Sequence, residues 1–159
     1  MVNNNPYLKI LTSLKPPPDK FSTGGSDRLI GHSPLWCLSE IVEIVLQHNE
    51  IKPTVRIVTE DAIKEYEELL VNGFDLKDAI SSIESKGRYR NSWWCKTSPN
   101  KDANGNPRGV GAWIPCDDYT LLLPYEHPAT GYRGTCEHYF KFCKGLDGAT
   151  VLFVSLHLS

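Results

Sequence analysis

Three features of the sequence predict an α+β fold in which N-terminal helices pack on a C-terminal antiparallel β-sheet. Apolar residues recur at helical spacing among glutamates from Ser33-Pro34 to Gly87. After Gly87 the period falls from about 3.6 to 2, and aromatic and turn residues replace the glutamates. A chain of 159 residues, 40% hydrophobic and 23% charged, has the size and composition of one globular domain.

Residues 1–33 hold Pro16-Pro17-Pro18 and Gly24-Gly25 and read as an irregular N-terminal arm ahead of a single domain over 34–159. Leu38, Ile41, Val42, Val45 and Leu46 form the apolar stripe of a first helix that ends near His48-Asn49. Residues 51–58 are short and extended. Thr59 is an N-cap, with Glu60 and Asp61 where the helix dipole favours acids; Ile63, Tyr66, Leu69 and Leu70 face inward, and Gly73 stops the second helix. Asp75 caps a third helix that buries Leu76, Ala79, Ile80 and Ile83 and ends at Gly87. Strands follow over 88–97, 110–114, 118–125, 136–143 and 149–158. The polar, Gly/Pro-rich run from Ser98 to Gly109 is a long exposed loop, expected to be mobile.

The first 85 residues carry 8 basic and 13 acidic side chains and the remainder 9 and 6, so the sheet half is the more cationic. Five cysteines, an odd number without a CxxC pair, sit in apolar runs and read as reduced core thiols of a cytoplasmic protein. Cys136, His138 and Cys143 are close in sequence, but the tight knuckles of structural zinc sites are missing, so no metal or cofactor is expected. The N-terminus lacks the features of a signal peptide, and no run approaches the roughly 20 apolar residues of a membrane span.

Strict alternation along Arg88–Lys96 puts Tyr89, Trp93 and Cys95 on one face and Arg88, Arg90, Trp94 and Lys96 on the other. Three cations and an indole suit a nucleic-acid backbone with a base stacked on the ring. The alternative is a solvated face whose Arg and Lys stems cover the tryptophan. In the last two strands, pairing Phe140 with Leu152 sets Glu137, Tyr139 and Lys141 beside Val151, Phe153, Ser155 and His157, and leaves Phe142, Val154 and Leu156 for the core. An acid, a phenol, an ammonium and an imidazole on one face are the groups that metal-free RNA cleavage requires. A base takes the 2′-hydroxyl proton, cations meet the phosphorane charge, and an acid protonates the leaving 5′-oxygen. His157 suits either transfer, its unperturbed pKa being about 6.5.

The order of these features resembles the MqsR branch of the RelE-type ribonuclease toxins. The resemblance is carried by Pro34–Ile41, Thr59–Ala62, Leu69–Leu76 with the turn Asn72-Gly73-Phe74-Asp75, Trp94–Thr97, Asp117-Asp118, His138–Phe142 and Val154–His157. It implies a toxin that cleaves mRNA and is neutralised by a cognate antitoxin protein. It places the family's functional lysine on Lys96, its tyrosine on Tyr139, its C-terminal lysine on His157 and its glutamine on Leu122. With Lys141 as a phosphate-neutralising cation, the expected catalytic set is Lys96, Tyr139, Lys141 and His157. Arg88, Arg90, Trp94 and Arg133 are the expected RNA contacts. A non-catalytic module that holds RNA or a protein partner on the same face is the rival reading.

Overall fold

Proline and glycine confine the first 31 residues to short pieces of regular structure: α1 (Tyr7–Ile10), a 3-10 turn over Gly25–Arg28 and β1 (Leu29–Gly31). The computed structural model describes residues 4–11, 14–20, 24–109, 111–127 and 129–158, and only the backbone of Asn100. Helices α2 (Leu38–Leu46), α3 (Glu60–Val71) and α4 (Leu76–Lys86) follow, with β2 (Val55–Ile57) between the first two. The chain then runs through β3 (Arg88–Lys96), β4 (Asn100–Lys101), β5 (Pro107–Arg108), β6 (Trp113–Glu126), β7 (Arg133–Lys144) and β8 (Val151–Leu158).

The arm is more ordered than its composition suggests. Tyr7 is buried, Leu8, Leu11 and Leu14 rest on the core, and β1 pairs antiparallel with β3. The Trp94 indole N–H donates to the Lys15 carbonyl at 2.8 Å, and the Arg28 guanidinium lies 5.0 Å above the Trp113 ring. Apolar residues spaced through the Pro-rich stretch therefore tie it down. Positions 1–3, 12–13 and 21–23 of the expected arm lie outside the described residues.

Helices α3 and α4 start where their caps predict. The Ala62 amide donates to Thr59 Oγ1 at 3.1 Å and the Asp78 amide to Asp75 Oδ1 at 3.0 Å. Gly73, at φ 82°, supplies the left-handed residue that turns α3 into α4. On α4 the predicted Leu76, Ala79, Ile80 and Ile83 are all buried. On α3 only Ala62 and Leu69 are; Ile63 and Leu70 stay exposed because α3 lies along β8 and covers a narrow stripe.

The main sheet has the order β1-β3-β6-β7-β8-β2, antiparallel throughout except that β2 runs parallel to β8. The two strands expected at 110–114 and 118–125 are one, since Cys116 pairs with Trp93 and Asp117 with Ser92 and Phe142. Its helix-facing side carries the buried aromatics: Tyr119 stacks on Phe142 at 5.5 Å, and Phe74 lies 5.8 Å from His138 and 6.3 Å from Phe140. The segment 98–109 is exposed as expected, but β4 and β5 fold it into a small hairpin. Its base is anchored: the Ser98 amide donates to the Val58 carbonyl at 2.9 Å, and Lys101 forms an ion pair with Glu60.

Two irregularities decide which side chains share a face. One lies between Tyr89 and Ser92 of β3, the other between Lys141 and Phe142 against β8. The second leaves Val154 unpaired, so Phe142 meets Phe153 and Phe140 meets Leu156, instead of the expected Leu152. Val151 and Phe153 thus turn to the helix side, contrary to strict alternation, while Ser155 and His157 keep their predicted face.

Candidate functional site

Directly opposed residues project from the same face of a sheet. On the face away from Phe140, one row runs Arg88, Thr120, Tyr139, His157 across β3, β6, β7 and β8. The next row sets Asp118 opposite Lys141 and Lys141 opposite Ser155. Glu137 and Leu122 are opposed one row further along. The predicted Tyr139, Lys141 and His157 are therefore brought together.

Asp118 organises this face. It is 2% exposed, and its Oδ2 accepts the hydroxyl proton of Tyr139 and, at 3.3 Å, the Trp93 indole N–H. Burial, reinforced by the carboxylate beside it, raises the Tyr139 phenol far above its ordinary value, while the nearby Arg90 charge opposes the rise. Tyr139 is thus a protonated hydrogen-bond donor at neutral pH. The Lys141 ammonium lies 5.9 Å from the Trp93 ring centroid and 5.8 Å from that of Tyr139, within reach of both π faces.

His157 is stacked on Tyr139, ring centroids 5.1 Å apart and planes 18° from parallel. Its Nδ1 is 2.8 Å from the Leu158 carbonyl and 4.0 Å from Glu65 Oε2 on α3. Because a carbonyl only accepts, Nδ1 carries the proton in this contact and Nε2 presents the lone pair. Burial raises the Glu65 carboxyl, and the imidazole opposes that shift. A cleft of about 350 Å³ opens beside the imidazole between Glu65, Glu68, Leu69, Asn72 and Leu158.

No protein family, curated protein or solved structure matches this chain. A larger groove of about 1070 Å³ runs between β2, α3 and the base of the 98–109 hairpin, but Tyr139, Lys141 and His157 do not line it. Its walls mix Arg56, Lys64, Lys101 and Arg108 with Glu60, Glu67 and Asp147, so it offers no concentrated charge.

Several predicted residues stand elsewhere. Trp94 is fully buried beneath the arm and cannot stack on a base, which corrects its expected place on the cationic face. The irregularity between Tyr89 and Ser92 is the cause: Trp94 and Lys96 project to the helix side, and Trp93 takes the face of Asp118 and Tyr139. Lys96, exposed at the end of β3, pairs with Trp113, seven residues along β6 from Thr120 and so about 24 Å from the Tyr139 row. It does not join the other three. Arg133 is exposed and 3.7 Å from Glu126, six residues and about 20 Å along β7 from Tyr139. Arg88 and Arg90 are exposed as expected, and Leu122 is exposed beside Glu137.

Sequence reasoning missed Trp93 and Asp118 as site residues. Asp118 leaves one signal, a charge in the middle of an apolar strand, which a sheet tolerates only where it finds partners. Cys95, Cys116 and Cys143 are buried as predicted, whereas Cys37 is exposed at the start of α2. Among the described residues, no cluster of three or more His, Cys, Asp or Glu side chains is arranged to hold a metal ion. Among them, too, no helix is long and apolar enough to cross a membrane.

Proposed function

We propose that this chain is a toxin-type endoribonuclease that cleaves mRNA without a metal ion and is neutralised by a cognate antitoxin. The stacked Tyr139–His157 pair, with Lys141 in the adjoining row, carries the proposal. His157 Nε2 takes the proton of a 2′-hydroxyl, whose oxygen attacks the neighbouring phosphorus as the bond to the 5′-oxygen breaks. A 2′,3′-cyclic phosphate and a 5′-hydroxyl result, the leaving oxygen taking its proton from water. Lys141, Arg88 and Arg90 supply the positive charge that the phosphorane meets. Tyr139 positions the imidazole and offers a ring to a base. The toxin class and the antitoxin rest on the MqsR-like order of motifs.

One observation favours the rival reading, a binding module for RNA: Lys96 stands apart from Tyr139 and His157. Single-stranded RNA incubated with the protein in EDTA separates the two. Fragments ending in 2′,3′-cyclic phosphate support the nuclease; salt-sensitive binding without fragments supports the module.

A further inference from the structure

Trp93 is the tryptophan that the fold leaves accessible. Trp36, Trp94 and Trp113 are 9%, 0% and 7% exposed, whereas Trp93 is half-buried on the face of β3 that it shares with Asp118 and Tyr139. Its orientation is fixed, because its indole N–H and the Tyr139 hydroxyl both donate to the same oxygen of Asp118. The other oxygen, Oδ1, is buried and has no hydrogen-bond partner among the described residues, so the carboxylate's hydrogen bonding is spent entirely on these two rings. The Lys141 ammonium lies nearly equidistant from the two ring centroids, at 5.9 and 5.8 Å. Two rings with one cation within reach of both match the chemistry of two bases and the phosphate that joins them.

We infer that Trp93 is a base-stacking platform, paired with Tyr139 through Asp118, and that the two rings hold consecutive bases of single-stranded RNA with the intervening phosphate on Lys141. This deepens the ribonuclease reading and rests on it. Every base has a π face, so such a platform grips a dinucleotide step with little preference for sequence. Double-stranded RNA, whose bases are already stacked on one another, is excluded. Asp118 is a positioning residue here: it touches the two rings and sets the angle at which they meet the strand.

The test uses 2′-O-methyl RNA, which binds but lacks the nucleophile. Binding of a short single strand to the wild-type protein should shield Trp93 from acrylamide quenching, and the shielding should disappear in Trp93→Phe, whose remaining tryptophans are buried. Trp93→Ala should weaken binding roughly 5- to 150-fold, the range for loss of one stacked base, and Trp93→Phe should restore most of it. Asp118→Asn should lower the ionisation point of Tyr139 in an ultraviolet titration and weaken binding in parallel. Thermal melts establish that each variant is folded, and the quenching measurement on wild-type protein needs no variant. RNA that binds equally well to Trp93→Ala, or that leaves tryptophan quenching unchanged in the wild type, overturns the platform and leaves the ribonuclease reading standing. Wild-type protein that does not bind RNA at all overturns both.

Discussion

Asp117 and Asp118 are adjacent in β6, both buried, and serve opposite faces of the sheet. Asp117 accepts the amides of Leu35 and Trp36 and, at 2.6 Å, the hydroxyl of Ser92, which ties the entry to α2 onto the sheet. Asp118 accepts Tyr139 and Trp93 on the other side. One dipeptide thus joins the helical layer to the framework of the candidate site.

Asp117→Ala should therefore destabilise the whole fold. It strands buried amides and a hydroxyl, at about 1–3 kcal/mol for each unsatisfied donor. Urea denaturation should show a loss of roughly 2–4 kcal/mol, less than the full sum because water reaches part of the gap. An unchanged midpoint would mean that the 33–37 segment is held by other contacts.

Stability should fall as pH falls below about 6.5, through His138. Its imidazole is 3% exposed and stacked near Phe74 and Phe140, and burial lowers its pKa despite the Cys136 carbonyl 3.0 Å from Nδ1. The folded state then binds fewer protons than the unfolded state between the depressed folded pKa and the unfolded value. Stability is full above the unfolded pKa and is lost as pH drops through that window. Melting curves from pH 8 to 5 should show the decline, and His138→Gln should flatten it.

Replacing Lys96 and Lys141 should have unequal effects on RNA. Lys141→Ala removes the cation that faces both rings, so affinity should drop and the slope of log K against log salt should shrink by about 0.7, one single-strand phosphate contact. Lys96→Ala, on the other side of the sheet and distant from the Tyr139 row, should leave both nearly unchanged. Binding titrations at several salt concentrations measure the difference, and equal effects would place RNA along β3 instead.

Much of this arrangement is legible in the sequence. The α3 and α4 caps, the inward stripe of α4 and the union of Tyr139, Lys141 and His157 on one face all follow from spacing. That union survives because Leu156, the partner of Phe140, lies four residues from the expected Leu152, an even offset that keeps the period-2 alternation in phase. What escapes is each place where one extra residue enters a strand. The irregularity before Ser92 exchanges Trp93 and Trp94 between faces, and the unpaired Val154 turns Val151 and Phe153 to the core. Glycine marks neither position, so composition gives no warning. The arm misleads for another reason: its order comes from contacts with Trp94 and Trp113, which lie far along the chain.

The most direct test is single-turnover cleavage of one RNA by wild-type protein and His157→Gln, with equilibrium binding measured on the same molecules. Glutamine keeps the size and a hydrogen-bonding end but does not titrate near neutral pH. Cleavage should fall roughly 10²- to 10⁴-fold while affinity stays within a factor of about two. A His157→Gln protein that cuts at the wild-type rate would contradict the proposed mechanism.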